Sequence, residues 1–326
     1  MRTIQFREAI KEAMSEEMRR DKNVFLMGEE VADYNGAYKA SEGMLDEFGA
    51  KRVIDTPISE LGFAGIGVGA AMNGLRPIVE FMTWNFAVLA MDQVVNSAAK
   101  MLQMSGGQYG APMVFRGPNG QAGQLAATHS QSFESMYAHV PGLKVITPSN
   151  PYDAKGLLKS AIRDDDPIVF MESEKMYGDK GEVPDSEYMI PIGKADVKKE
   201  GADCTIVSFG KIMKVALKAA EELEKDGINA EVIDLRTIRP MDYAAIIKSV
   251  KKTNRLVILE ESWPVASISS EISHVVQSQA FDHLDAPIRR LTQADTPFAF
   301  AKELIDEALP GVEDVVKSVK ASMYVL

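Results

Sequence analysis

Short apolar runs recur through the first 180 residues, at 24–27, 53–54, 77–82, 112–115, 144–147 and 168–171. Stretches of helical period separate them: Phe6, Ile10, Met14 and Met18 share one helix face, and further helices are expected at 41–48, from Glu60, from 86 to about 104, at 133–138 and at 152–163. Such alternation predicts parallel strands, because a strand–helix–strand crossover returns the chain in the same direction and lays the helix over the sheet. The expected fold is α/β, with a doubly wound, mostly parallel sheet. Residues 175–194 are rich in Gly, Pro, Asp and Glu without apolar period, and read as a linker. A second alternating series follows, with strands at 205–208, 230–234, 256–259 and 288–291 and closing helices at 301–308 and 312–320. The expected division is 1–180, a linker at 181–196, and a smaller α/β domain at 197–326, in keeping with roughly 100–200 residues per domain.

Asp55-Thr-Pro-Ile-Ser-Glu60 runs into Leu61-Gly-Phe-Ala-Gly-Ile-Gly-Val-Gly-Ala-Ala-Met-Asn-Gly74. Ser59 is a natural helix N-cap, and Glu60 then heads a helix of very small side chains. Such a helix cannot fill a core alone, so another backbone must approach it, with the Glu60 carboxylate in or beside the contact. Gly65-Ile-Gly67-Val-Gly69 looks like a dinucleotide fingerprint. It lies inside a helix, however, rather than in a strand-to-helix turn, and no acid follows in register. Close packing is the better reading, and NAD binding is disfavoured.

Ligands of open α/β sheets bind outside the carboxyl ends of the strands. Glu29-Glu30, Thr56 to Glu60, Thr83-Trp84-Asn85-Phe86, and the loop from Arg116 to His129-Ser-Gln131 all fall on that one edge, which favours a site there. His129 stands in a polar Gly/Ala-rich loop, and histidine is the residue type suited to proton transfer at physiological pH. His139, His274 and His283 have no metal-ligand spacing, Cys204 reads as core, and Asp164-Asp-Asp166 reads as a solvated turn before a cation site. No nucleophile elbow, Walker loop, HExxH or paired CxxC occurs. The formal charge of −11 argues against sequence-independent nucleic-acid binding. The single cysteine fits a reducing compartment, and no apolar run approaches a membrane span. A cytoplasmic protein is expected, binding neither nucleic acid nor membrane.

Gly28-Glu-Glu-Val31 with Gly36-Ala-Tyr-Lys39, Asp55-Thr-Pro-Ile-Ser-Glu60, Glu80-Phe-Met-Thr-Trp-Asn-Phe86, Phe115-Arg-Gly-Pro-Asn-Gly120, His129-Ser-Gln131 and Leu235-Arg-Thr-Ile-Arg-Pro-Met-Asp242 carry a family likeness over essentially the whole chain. The sequence resembles the β subunit of the two-chain 2-oxoacid dehydrogenases, the thiamine-diphosphate decarboxylase component of large complexes. Within that family, Arg239-Pro-Met-Asp242 and Glu172-Ser-Glu-Lys-Met-Tyr-Gly178 are more similar to the pyruvate branch than to the branched-chain branch. The resemblance implies a pyrimidine-binding domain followed by a transketolase C-terminal-type domain. It implies that Glu60 approaches N1′ of the aminopyrimidine, that Ile58, Met82 and Phe86 line its pocket, and that His129 handles a proton as the acyl group passes to lipoamide. Burial and the helix N-terminus would act on Glu60 in opposite senses. The carbonyls of Met113, Ala161 and Ile162, with Asp164 and Asp166, match a monovalent-cation (K⁺) site of the family.

The implied activity is oxidative decarboxylation of pyruvate with reductive acetylation of lipoamide on the dihydrolipoyl acyltransferase. Thiamine enzymes hold the diphosphate through Mg²⁺ on a Gly-Asp-Gly segment, and this sequence has none; Gly178-Asp-Lys is the nearest approach. The resemblance therefore implies an α2β2 heterotetramer with the diphosphate and Mg²⁺ on the α subunit. A branched-chain 2-oxoacid or acetoin enzyme remains open at this point, as does a non-catalytic assembly module docking the acyltransferase through its C-terminal domain.

Overall fold

Val24–Gly28 and Ile168–Glu172 are buried at every residue, as strands covered on both faces must be. The computed structural model describes residues 1–325. Its strands are, in chain order, β1 Arg2–Gln5, β2 Val24–Gly28, β3 Val53–Asp55, β4 Arg76–Glu80, β5 Val114–Pro118, β6 Lys144–Ile146, β7 Ile168–Glu172, β8 Lys180–Val183, β9 Asp196–Lys199, β10 Cys204–Ser208, β11 Ala230–Asp234, β12 Thr237–Arg239, β13 Leu256–Leu259 and β14 Arg289–Leu291. The seven-stranded sheet has the order β12-β6-β7-β5-β4-β2-β3. All its neighbours are parallel except β12, which pairs antiparallel with β6.

Successive residues of each strand point to opposite faces, and the core divides accordingly. Val24 and Leu26 join Phe6, Ile10 and Leu157 beneath helices Phe6–Arg20 and Pro151–Arg163. Phe25 and Met27 join Phe63, Ala64 and Val68 of helix Glu60–Met72 on the other face. This is the doubly wound arrangement expected. A second sheet, β14-β13-β10-β11-β9, is parallel except for β9. Helices Met213–Lys225 and Val312–Ser322 pack on one of its faces, where Cys204 is buried as expected of core. Residues Val207, Phe209 and Ile233 on its other face continue the core of the first sheet, so the two sheets share one apolar layer.

The structure departs from the sequence expectations at several places, β1 and β9 among them, neither of which was expected. The single helix expected from 86 to about 104 is instead a turn at Trp84–Ala87, a 3-10 turn at Val88–Ala90, a π segment at Gln93–Ala98 and an α-helix at Ala99–Met104. Apolar spacing reports a helical face but does not distinguish the ring size of the hydrogen bonds. Part of the stretch expected to be linker is β8, paired antiparallel with β1 from Arg2↔Val183 to Gln5↔Lys180. Its polar sequence carries no apolar alternation, so backbone pairing alone defines it. β12 comes from the second half of the chain yet closes an edge of the first sheet, a non-local pairing with no local signature. Ser59 occupies the N-cap position but makes no capping bond; its carbonyl accepts the Phe63 amide at 2.9 Å instead.

Candidate active site

The strand ends of the first sheet place two carboxyl groups together. β2 and β4 run in register with Gly28 opposite Glu80. The missing side chain of Gly28 lets the strands close there, because a Cβ would collide with the Glu80 carbonyl. Glu29 therefore leaves β2 directly over the end of β4, 4% exposed, and its Oε2 accepts the Met82 amide at 3.1 Å. Glu60 heads its helix at 3% exposure. Burial raises the Glu29 carboxyl to about 7, against the Met82 amide and with help from the adjacent Glu60 and from Glu80. Burial thus favours the protonated form of Glu29 beside Glu60.

Phe86 and His129 form the other side. Their rings meet edge to face, 5.2 Å between centroids. The Thr83 hydroxyl caps the Trp84–Ala87 turn by accepting the Asn85 amide at 3.2 Å and the Asn85 side-chain NH₂ at 2.7 Å. Asn85 Oδ1 in turn accepts the backbone and side-chain N–H groups of Gln131 at 3.1 and 3.2 Å. That half-buried link ties the loop bearing His129 to the turn bearing Phe86. His129 Nδ1 lies 3.0 Å from Thr128 Oγ1. Met82 is half-buried, and Ile58 is 84% exposed, so the pocket residues named from the sequence lie on an open face.

Beneath this edge lies a group the sequence reading assigned to no role. Arg116 on β5 is wholly buried and donates from Nε and Nη2 to Glu172 at 2.6 Å each. Its Nη1 pairs with Glu80, and the Tyr177 hydroxyl donates to Glu172 at 2.7 Å. Burial pushes the Glu80 carboxyl up, and Arg116 opposes it. A fully bonded buried cluster of this kind fixes the ends of β4, β5 and β7 relative to one another. An arginine inside an otherwise apolar strand was the available signal.

The residues matched to a cation site are paired within the chain. Lys144 Nζ meets both oxygens of Asp164 at 2.7 Å and Asp166 at 3.0 Å. Arg76 Nη1 donates to the carbonyls of Ile162 and Asp164 at 3.2 and 2.9 Å. The Met113 carbonyl accepts the Ile168 amide at 2.9 Å, and that of Ala161 the Asp164 amide at 3.3 Å. As arranged, the Met113 and Ala161 carbonyls serve backbone amides, the Ile162 carbonyl serves Arg76, and the Asp164 and Asp166 carboxylates serve Lys144. Among the described residues no group of three or more His, Cys, Asp or Glu is placed to hold a metal ion.

Helix Glu60–Met72 presses inward through Gly67, where a Cβ would lie 2.7 Å from Val79 Cγ2. Its outer side shows Leu61 at 50% and Ile66 at 66% exposure, and Val88 and Leu89 nearby are also exposed. Gly65, Gly67 and Gly69 all lie within this helix, so they do not form a dinucleotide-binding turn. A groove of about 740 Å³ lies elsewhere, between Arg239 and the start of helix Ile268–Ala280. Among the described residues no helix is long and apolar enough to cross a membrane.

The family model for the transketolase pyrimidine binding domain matches residues 2–180, and that for the transketolase C-terminal domain matches residues 193–315. A pyruvate dehydrogenase E1 component subunit beta of Rhizobium meliloti is 58% identical over 325 residues, covering 99% of this chain and 71% of the relative. That of Rickettsia felis is 56% identical over 98% of each chain. The mitochondrial beta-1 subunit of Oryza sativa is 55% identical, covering 98% of this chain and 86% of the relative. A solved structure described as a split gene transketolase, inactive beta4 tetramer, superposes with a TM-score of 0.79 over 99% of each chain at 21% identity, a likeness of fold. The chain belongs to the family of pyruvate dehydrogenase E1 component β subunits.

Proposed function

We propose that this chain supplies one half of a pyruvate-decarboxylating active site, holding the aminopyrimidine of thiamine diphosphate at Glu60 and serving acyl transfer to lipoamide at His129. The observation that carries the reading is the buried Glu60–Glu29 pair, with Met82 beside it, on the sheet edge that also carries Phe86 and His129. An aminopyrimidine has apolar faces and a polar edge. Met82 and Phe86 offer half-buried apolar surface, and Glu60 accepts no N–H from the described residues. The residues present fit that group. When bound, thiamine diphosphate supplies the electron sink that makes loss of carbon dioxide from a 2-oxoacid feasible.

Glu60 would hold the N1′ edge of the aminopyrimidine and share a proton there, and the bound group would supply its exocyclic nitrogen as a base. Glu29, titrating near 7 beside it, buffers that proton. Phe86 and Met82 keep water from the ring, and Ile58 completes the pocket from its exposed position. His129, held edge-on to Phe86, exchanges a proton with the lipoyl sulfur as the acyl group leaves. These parts all lie in the domain of residues 1–180, which residues 181–196 join to the domain of residues 197–326.

The chain lacks a Gly-Asp-Gly segment. The diphosphate and its Mg²⁺ therefore belong to an α subunit, docked on the uncovered apolar side of helix Glu60–Met72 in an α2β2 assembly. The dihydrolipoyl acyltransferase is the acyl acceptor, and the buried lone thiol of Cys204 suits the cytoplasm. No step depends on a monovalent cation at Asp164 and Asp166, which would first have to displace Lys144 and Arg76.

The test mixes the chain with its α partner, thiamine diphosphate and Mg²⁺, and compares turnover of pyruvate, 3-methyl-2-oxobutanoate and acetoin. Pyruvate turnover that requires both chains is expected. Preference for another substrate would move the chain to a sister activity. Tight Mg²⁺-dependent binding of thiamine diphosphate by this chain alone would refute the shared site.

A further inference from the structure

The loop bearing His129 is held at its base by the second domain. Its two stems meet where the Gly120 amide donates to the Gln131 carbonyl at 3.0 Å and the Phe133 amide to Asn119 Oδ1 at 3.0 Å. Glu261, just past β13, touches both stems. Its carboxylate accepts the Gln121 amide, and its backbone carbonyl accepts the Ser132 hydroxyl. Lys211 completes the grip: its Nζ lies 2.8 Å from the other oxygen of Glu261 and donates to Gln121 Oε1 and the Gln121 carbonyl at 2.9 and 3.2 Å. Gln121, Ser132 and Glu261 are all buried. Gly120 leaves room for the carboxylate: its φ is +78°, and a Cβ would lie 2.9 Å from Glu261 Oε1.

Beyond this base the loop has few ties. Gly123 donates to Glu174 at 3.1 Å, Gln124 reaches the Phe300 carbonyl at 3.3 Å, and Leu125 is exposed. The far side is the Asn85–Gln131 link already described. The buried and half-buried ties nearest His129 are thus the Asn85–Gln131 link within the first domain and the grip of Glu261 and Lys211 from the second.

We propose that Glu261, buttressed by Lys211, is a positioning residue for the His129 loop, through which the second domain governs acyl transfer separately from decarboxylation. The inference rests on the proposed role of His129. Glu261 touches no residue placed at the pyrimidine, so its removal reaches His129 through the loop. Truncating it leaves the Gln121 amide and the Lys211 ammonium without their buried acceptor, a loss that frees the stems.

The test uses the chain assembled with its α partner and compares the parent with Glu261→Ala and Glu261→Gln. Hydrogen exchange across residues 121–131, decarboxylation with an artificial electron acceptor, and acetylation of a free lipoyl domain are measured together. Expected for Glu261→Ala is loop exchange faster by about tenfold or more, a similar loss in lipoyl acetylation, and decarboxylation within about twofold. Glu261→Gln keeps an acceptor for the Gln121 amide and should recover part of both losses. If Glu261→Ala does not assemble, Lys211→Met removes the ion pair and the two bonds to Gln121 while leaving Glu261 to accept the Gln121 amide, and should show the same pattern, smaller. Unchanged loop exchange would overturn the proposal, as would equal loss of both reactions. Loop exchange reports on the clamp even if His129→Ala leaves acetylation intact, the result that would refute the role of His129 instead.

Discussion

Glu134 makes a quantitative prediction, because it is a carboxyl group in a place with no use for its charge. It opens helix Glu134–Ala138, is buried between the two domains, and its Oε2 has no hydrogen-bond partner. Burial raises it to about 8. Glu261 and Glu260 of the second domain add to the rise, while its own backbone amide and Asn119 oppose it. The ordinary carboxyl value is 4.5, so folding takes up a proton wherever the pH lies between the two values. Relative stability is full below about 4.5 and is lost as pH rises to about 8; above that the group is charged in both states and the loss is constant. At about 1.4 kcal/mol per pH unit, the full loss is about 5 kcal/mol. Glu134→Gln keeps the shape and removes the titration. Differential scanning calorimetry from pH 5 to 9 should therefore show the variant gaining on the parent as pH rises. The gap should open from near zero to on the order of 10 °C in Tm. Parallel curves for the two proteins would refute a proton on buried Glu134.

Two further outcomes follow from the same geometry. Arg116→Met leaves Glu80 and Glu172 buried without their cation and should lower stability by about 3–5 kcal/mol in urea unfolding, whereas a loss under about 1 kcal/mol would mean that the cluster is not buried as described. Glu29→Gln removes the group that titrates near 7 beside Glu60, so the parent's change in kcat through neutral pH should flatten in the variant; an unaltered profile would separate Glu29 from the chemistry.

The sheet was legible wherever burial writes itself into sequence. Strands such as β2 and β7 are apolar throughout because helices cover both faces. β1, β8 and β9 lie outside that layer, where pairing depends on backbone rather than side chains, and left little trace. Glu60 could be found because a carboxylate at the head of a helix of tiny residues is locally conspicuous. Glu29 stood on the correct edge, but its contact with the Met82 amide depends on how closely β2 and β4 end beside Gly28. The grip of Glu261 on Gln121 joins residues 140 apart and has no local signature at all. The helix from Glu60 reads differently once its two sides are separated. Gly67 answers to the sheet, and the outer side, with Leu61 and Ile66, is left uncovered.

The most direct test of the shared active site is pyruvate turnover by the assembled complex carrying Glu60→Gln, with assembly checked by mass. Expected is a loss of about a hundredfold or more in kcat with the tetramer intact, since the role proposed for Glu60 at N1′ needs an ionisable carboxyl. Near-normal turnover in an intact tetramer would remove Glu60 from the chemistry and leave the chain as an assembly module.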